Sequence, residues 1–177
     1  MTDQQEMGHD QQKKDSHEEQ SNLYDQLAER ARELFAAGRD KTSEALESAV
    51  ETARKQLTEA GTFSAEKGKA LKEYLLKDMN RLATYSRDLG EEAKEKLEPS
   101  RLGAGALSSL SSLLHLAGDA FLGLAAKTDQ ALSCRTGEIT TAGSLTCKQC
   151  GKTIHLKKSG HIPPCPQCSG TQFKKGY

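Results

Sequence analysis

"TCKQCGKTIHLKKSGHIPPCPQCSG", residues 146–170, decides how the end of this chain folds. Two Cys-x-x-Cys pairs, Cys147/Cys150 and Cys165/Cys168, flank the fourteen residues 151–164. Two residues between cysteines make a tight turn that aims both sulfurs at one point, with backbone N–H groups free to donate to the thiolates. Two such turns facing each other complete a tetrahedral S4 shell with metal–sulfur bonds of about 2.3 Å, and C-x2-C-x14-C-x2-C is zinc-ribbon spacing. All four positions are thiolates, so the predicted site is structural, with one Zn2+ and no open coordination position.

The neighbours of the cysteines fit those turns. Gly151 follows the first pair, where a left-handed backbone is useful. Pro164 and Pro166 bracket Cys165, while Ser169 stands where a glycine is usual and Gly170 follows it. His155 and His161 lie between the pairs and are read as loop residues, not ligands. Cys134 is a fifth cysteine with no partner in the pattern and is read as a spare thiol. Around the motif, Ile139, Leu145, Ile154, Leu156 and Phe173 form short β-like patches separated by Gly and Pro turns. A region of some forty residues cannot bury enough apolar surface unaided, which makes the metal the agent that folds it.

The stretch "GEITTAGSLTCKQCGKTIHLKKSGHIPPCPQC" is similar to the C-terminal ribbon of the YbeL-like family, small bacterial zinc-ribbon-containing proteins of unknown function. Those proteins also place a charged helical region before the ribbon. The specific likeness covers about residues 137–173. It implies metal binding by Cys147, Cys150, Cys165 and Cys168 and brings no activity with it.

Upstream the pattern changes. Hydrophobic residues are 35% of the 177 residues, charged residues 28% and aromatics 5%, which suits a helical protein better than a compact α/β enzyme. Net charge is zero but unevenly spread: Cys134–Tyr177 holds seven Lys/Arg against Glu138 alone, and the rest carries the acidic excess. Residues 1–20 have almost nothing to bury and are expected to be a disordered polar tail. Helical periodicity then predicts helices over about 21–37, 41–60 and 64–98. Leu46, Val50, Ala53, Leu57 and Ala60, and then Leu71, Leu75, Leu82 and Leu89, form heptad-like seams. Gly38 and Gly61 interrupt the run, Thr62 or Ser64 caps the next helix, and Pro99 ends it. Each seam buries one stripe, so the helices must pair, as an antiparallel hairpin within the chain or with a second copy.

Residues 102–127 are the most apolar part of the chain. Asp119, His115 and four serines sit in this segment, and an Asp at a bilayer centre costs about 2.5–3.5 kcal/mol. A further helix over about 104–130, packed on the others, is therefore expected, not a membrane span. The expected domains are thus a tail at 1–20, a helical domain at 21–133 and a zinc ribbon at 134–177: a mainly α protein, a helical hairpin or coiled-coil body followed by a small β ribbon.

Three functional readings follow. The first is a non-enzymatic adaptor or regulator that binds a protein partner, or itself, through its helices. No phosphate-binding glycine loop, metalloprotease helix motif or Ser/His/Asp set is visible, so no enzyme is expected. The second is sequence-tolerant nucleic-acid binding through Lys148, Lys152, Lys157, Lys158, Lys174 and Lys175, with few aromatics for stacking. The third is electron transfer, because "CKQCG" and "CPQC" resemble rubredoxin, although the basic loop "HLKKSGH" suits that cluster poorly. The first twenty residues lack the apolar core of a signal peptide, and a reducing, cytoplasmic setting is expected, where such cysteines hold metal.

Overall fold

A computed structural model describes residues 3–125 and 132–177. It is mainly helical, with a small antiparallel β region at the end that carries the cysteines. α1 (Asp3–Ala37), α2 (Ser43–Glu59), α3 (Ala65–Leu89) and α5 (Ala106–Ala117) make a bundle in which α1 packs on α2 and α5, and α3 packs on α1 and α2. The body is thus more than a hairpin. The seam residues Leu46, Val50, Ala53, Leu71, Leu75 and Leu82 are buried inside the chain, together with Tyr24, Leu27, Phe35, Met79 and Leu110. The periodic stripes find their partners without a second copy. The last residue of each seam is exposed, Ala60 in the first and Leu89, at 40%, in the second, and Leu57 is half-buried.

Helix boundaries follow local chemistry. Thr42 and Ser64 are extended N-caps whose hydroxyls accept from the N–H groups of Ala45 and Lys67 at 3.1 and 3.2 Å. Gly90 and Gly118 take φ of 54° and 51° and break two predicted helices. The 64–98 segment becomes α3, α4 (Glu91–Lys96) and a 3₁₀ turn at Pro99–Arg101. The apolar segment becomes α5 and the single turn α6 (Asp119–Leu122), and its expected extension through 126–130 lies outside the described residues. Among the described residues, no helix is long and apolar enough to cross a membrane.

The polar start corrects an expectation. α1 begins at Asp3, where a disordered tail was expected through residue 20. Gln, Glu and Lys bury little but are good helix formers. Residues 17–20 also have tertiary partners: the His17 ring lies 4.2 Å from that of His161, Gln20 contacts His161 Nε2 at 2.8 Å, and Lys158 donates to Glu18 at 2.6 Å.

The ribbon is a four-stranded antiparallel sheet in the order β1 (Ser133–Arg135), β6 (Gln172–Gly176), β3 (Gly143–Cys147) and β4 (Thr153–Leu156). A separate two-stranded ladder pairs β2 (Ile139–Thr140) with β5 (Gly160–His161). Its own core is small: Leu145, Ile162, Phe173 and Cys134 are buried beside Cys147 and Cys165. Ile139 leaves this cluster and is buried with the helices.

Candidate metal centre

Each Cys-x-x-Cys pair sits in a turn closed by the same backbone bond. The N–H of Gly151 donates to the Cys147 carbonyl at 3.0 Å, and the N–H of Ser169 donates to that of Cys165 at 2.8 Å. Both donors lie in the left-handed region, Gly151 at φ 73° and Ser169 at φ 56°. Ser169 therefore does the work of the expected glycine and carries a Cβ in a conformation that disfavours one. Gly170, next along, is needed for closeness: a Cβ there would lie 3.2 Å from the sulfurs of both Cys147 and Cys168.

These turns bring the four sulfurs together. All lie within 4.8 Å of one another, and Cys147–Cys168 and Cys150–Cys165 approach to 3.6 Å. A tetrahedral ion with Zn–S bonds of about 2.3 Å has sulfur–sulfur edges of about 3.8 Å, so the cluster has the size that zinc requires. A disulfide would need about 2.05 Å, and all five cysteines are free thiols. The Gln167 N–H directed at Cys165 holds its thiol down at about 7, favouring the thiolate a metal needs. At Cys168 the Gly170 N–H also favours the thiolate, but sulfur neighbours led by Cys150 outweigh it and push the thiol up to about 12. Four thiols this close cannot all ionise without a cation among them.

The other candidates separate cleanly. Cys134 is buried in the sheet, its sulfur 3.7 Å from the Phe173 carbonyl, and burial pushes its thiol up to about 11. It is a packed side chain. His161 has its Nδ1 at 3.0 Å from the Gly137 carbonyl and its Nε2 at Gln20, so both ring nitrogens are engaged away from the sulfurs. His155 is exposed on β4. His115 and Asp119, four residues apart, fall in different helices on either side of Gly118.

Five of the six lysines are exposed and one is not. Lys175 is corrected outright: it is 1% exposed, donates to the carbonyls of Thr141 and Ala142 at 2.5 and 3.0 Å, and burial lowers it to about 8. It cannot reach a phosphate. Lys158 is engaged by Glu18, and Lys148 donates to the Ser133 hydroxyl. Lys152, Lys157 and Lys174 are exposed.

The residues that the sequence reading missed lie where the ribbon meets α3. Asp78 is fully buried and accepts from Tyr24, Arg81, Thr140 and the Thr141 N–H at 2.7–2.9 Å. Arg81, 3% exposed, reaches on to the Ser133 carbonyl and to Glu138. Burial alone would raise the Glu138 carboxyl, but Arg81 outweighs it and holds it below the usual range. A signal was present in the sequence: Asp78 stands three after Leu75 and four before Leu82, on the seam face itself.

A helical body joined to a four-cysteine β ribbon defines a class, that of the zinc-ribbon proteins. Within it, the chain belongs to the family described as "Zinc-ribbon containing domain", whose model matches residues 33–176. The match extends well beyond the ribbon into the helices, which makes both parts features of one family. No curated protein and no solved structure matches the chain.

Proposed function

We propose that this zinc-binding chain acts by binding, not by catalysis. It is a non-enzymatic adaptor or regulator in the reducing cytoplasm, taking a protein partner through its helical body while one structural zinc ion holds the ribbon. The observation that carries this reading is the sulfur cluster: four cysteines lie close enough to fill all four positions of a tetrahedral ion, which would leave none for substrate or water. The surface supports it too. Leu89 and Leu116, 40% and 44% exposed, stand out among the large hydrophobic side chains of the described residues. A cleft of about 470 Å³ lies between the end of α3 and α5–α6, lined by Ser86, Leu114, His115, Asp119 and Leu122 among others. The nucleic-acid alternative loses Lys175 to burial, and Lys158 is tied to Glu18.

Photo-crosslinking in the producing cell tests the proposal, with a photoreactive residue in place of Leu89 or Leu116, and separately in place of Lys152. A discrete, protease-sensitive, nuclease-resistant adduct from the helical positions is expected. Nuclease-sensitive adducts from Lys152, with none from the helices, would replace the adaptor with a nucleic-acid binder.

A further inference from the structure

We propose that Asp78 and Arg81 make the ribbon and the helical body one zinc-linked folding unit, so that loss of zinc undocks the ribbon and loosens the packing of α1 on α3. The claim goes beyond the adaptor reading and does not depend on it. Of the four donors to the buried Asp78 carboxylate, two belong to the body, Tyr24 of α1 and Arg81 of α3. The other two belong to the ribbon: the Thr140 hydroxyl at 2.9 Å and the Thr141 N–H at 2.8 Å. Arg81 is more dependent still. Besides Asp78 its partners are the Ser133 carbonyl, reached by Nε at 3.2 Å and Nη2 at 2.7 Å, and Glu138 at 2.8 Å. All of these are ribbon atoms. A buried charge stripped of half its donors is costly, so the body cannot keep this arrangement once the ribbon leaves.

The connection from the metal to this network runs through paired strands. Cys147 stands opposite Phe173 in the β3–β6 ladder, and Phe173 stands opposite Cys134 in the β1–β6 ladder. Cys134 adjoins Ser133, whose carbonyl receives Arg81. On the other side, Cys165 is three residues from Ile162, whose N–H donates to the Glu138 carbonyl at 2.9 Å. The metal-closed turns thus anchor both chain segments that supply partners to Asp78 and Arg81. Apolar contacts follow the same line: Ile139 is buried with the helices, and the Tyr177 ring meets Tyr85 edge-on at 5.3 Å. Coupling of this kind is reciprocal. If zinc steadies α3, then Asp78 must strengthen zinc binding, although it touches no sulfur.

Two measurements on the full chain test the proposal. Hydrogen exchange is followed in zinc-loaded and chelated protein, and the amides of residues 75–86 are expected to exchange at least about tenfold faster after chelation. Protection of those amides that is unchanged while the ribbon amides exchange freely would overturn the coupling. Zinc affinity is then measured by competition with a chromophoric chelator for Asp78→Asn and for the milder Thr140→Val, with Lys55→Met, exposed on α2, as control. The first two are expected to weaken zinc by about fivefold or more and the control to leave it unchanged. Should Asp78→Asn fail to fold, Thr140→Val decides: wild-type affinity in that variant would sink the proposal.

Discussion

The helical body and the ribbon solve the same problem by opposite means. The body buries a long series of apolar side chains, from Leu23 in α1 to Phe121 in α6, and losing any one leaves many others in place. The ribbon has Leu145, Ile162 and Phe173 with three cysteines, a core too small to hold six short strands. Four sulfurs gathered within 4.8 Å give it a zinc site, and metal binding can supply the folding energy that so small a core lacks. Each part is therefore vulnerable in its own way, the body to the slow loss of packing and the ribbon to the loss of a single ligand. Their junction follows neither rule, being a buried set of charges and hydroxyls around Asp78.

Substituting one metal ligand should have the largest effect. Cys165→Ser is expected to weaken zinc binding by more than about 100-fold, since even the outer partners of metal ligands are worth about 10–100-fold. Chelator competition measures the loss, and circular dichroism should show most of the helix retained. Next in size is the junction. Arg81→Met strands the Asp78 carboxylate and should destabilise the protein by about 3–5 kcal/mol in denaturant unfolding. Lys77→Met removes a contact with Glu138 at 3.5 Å and one with the face of the Tyr74 ring, both from a half-exposed ammonium, and should cost no more than about 1 kcal/mol.

A gain is expected from Ser169→Gly. Relieving a left-handed serine should stabilise the zinc-bound ribbon by about 1 kcal/mol, read as tighter zinc retention against a competing chelator. The smallest effect belongs to the body's surface. Arg54 and then Lys72 hold the Glu51 carboxyl at about 2, down from 4.5. A depressed carboxyl stabilises the fold above its unfolded value and loses that contribution as pH falls from 4.5 towards 2. Glu51 is about one-third exposed, so its share is at most about 1 kcal/mol. Wild type and Glu51→Gln, both chelated, should differ slightly in stability at pH 6, and the difference should close at low pH.

What could be read in advance divides along the same line. The metal ligands were legible because their geometry is local: two residues between cysteines fix a turn wherever the chain goes. The seams were legible because a 3.6-residue period survives in any helical packing, as the burial of Leu46, Leu75 and Leu82 shows. Ser64 announced its cap for the same local reason. Lys175 misled because net charge says nothing of position: on β6 its alternation points it inward, one residue from the exposed Lys174. Asp78 and Arg81 were missed because their meaning is tertiary. A carboxylate on a seam face reads as an interruption until strands sixty residues later supply its donors. The partners of Glu18 and Gln20 in α1 are tertiary in the same way, being Lys158 and His161 far along the chain.

Cobalt(II) titration of the metal-free full chain tests whether the four cysteines form a closed tetrathiolate site. Saturation is expected at one equivalent, with the intense visible bands of a tetrahedral four-sulfur site, displaced stoichiometrically by zinc and lost when any one of Cys147, Cys150, Cys165 or Cys168 is changed to Ser. Octahedral or five-coordinate bands, or full binding after the loss of one of these cysteines, would contradict it.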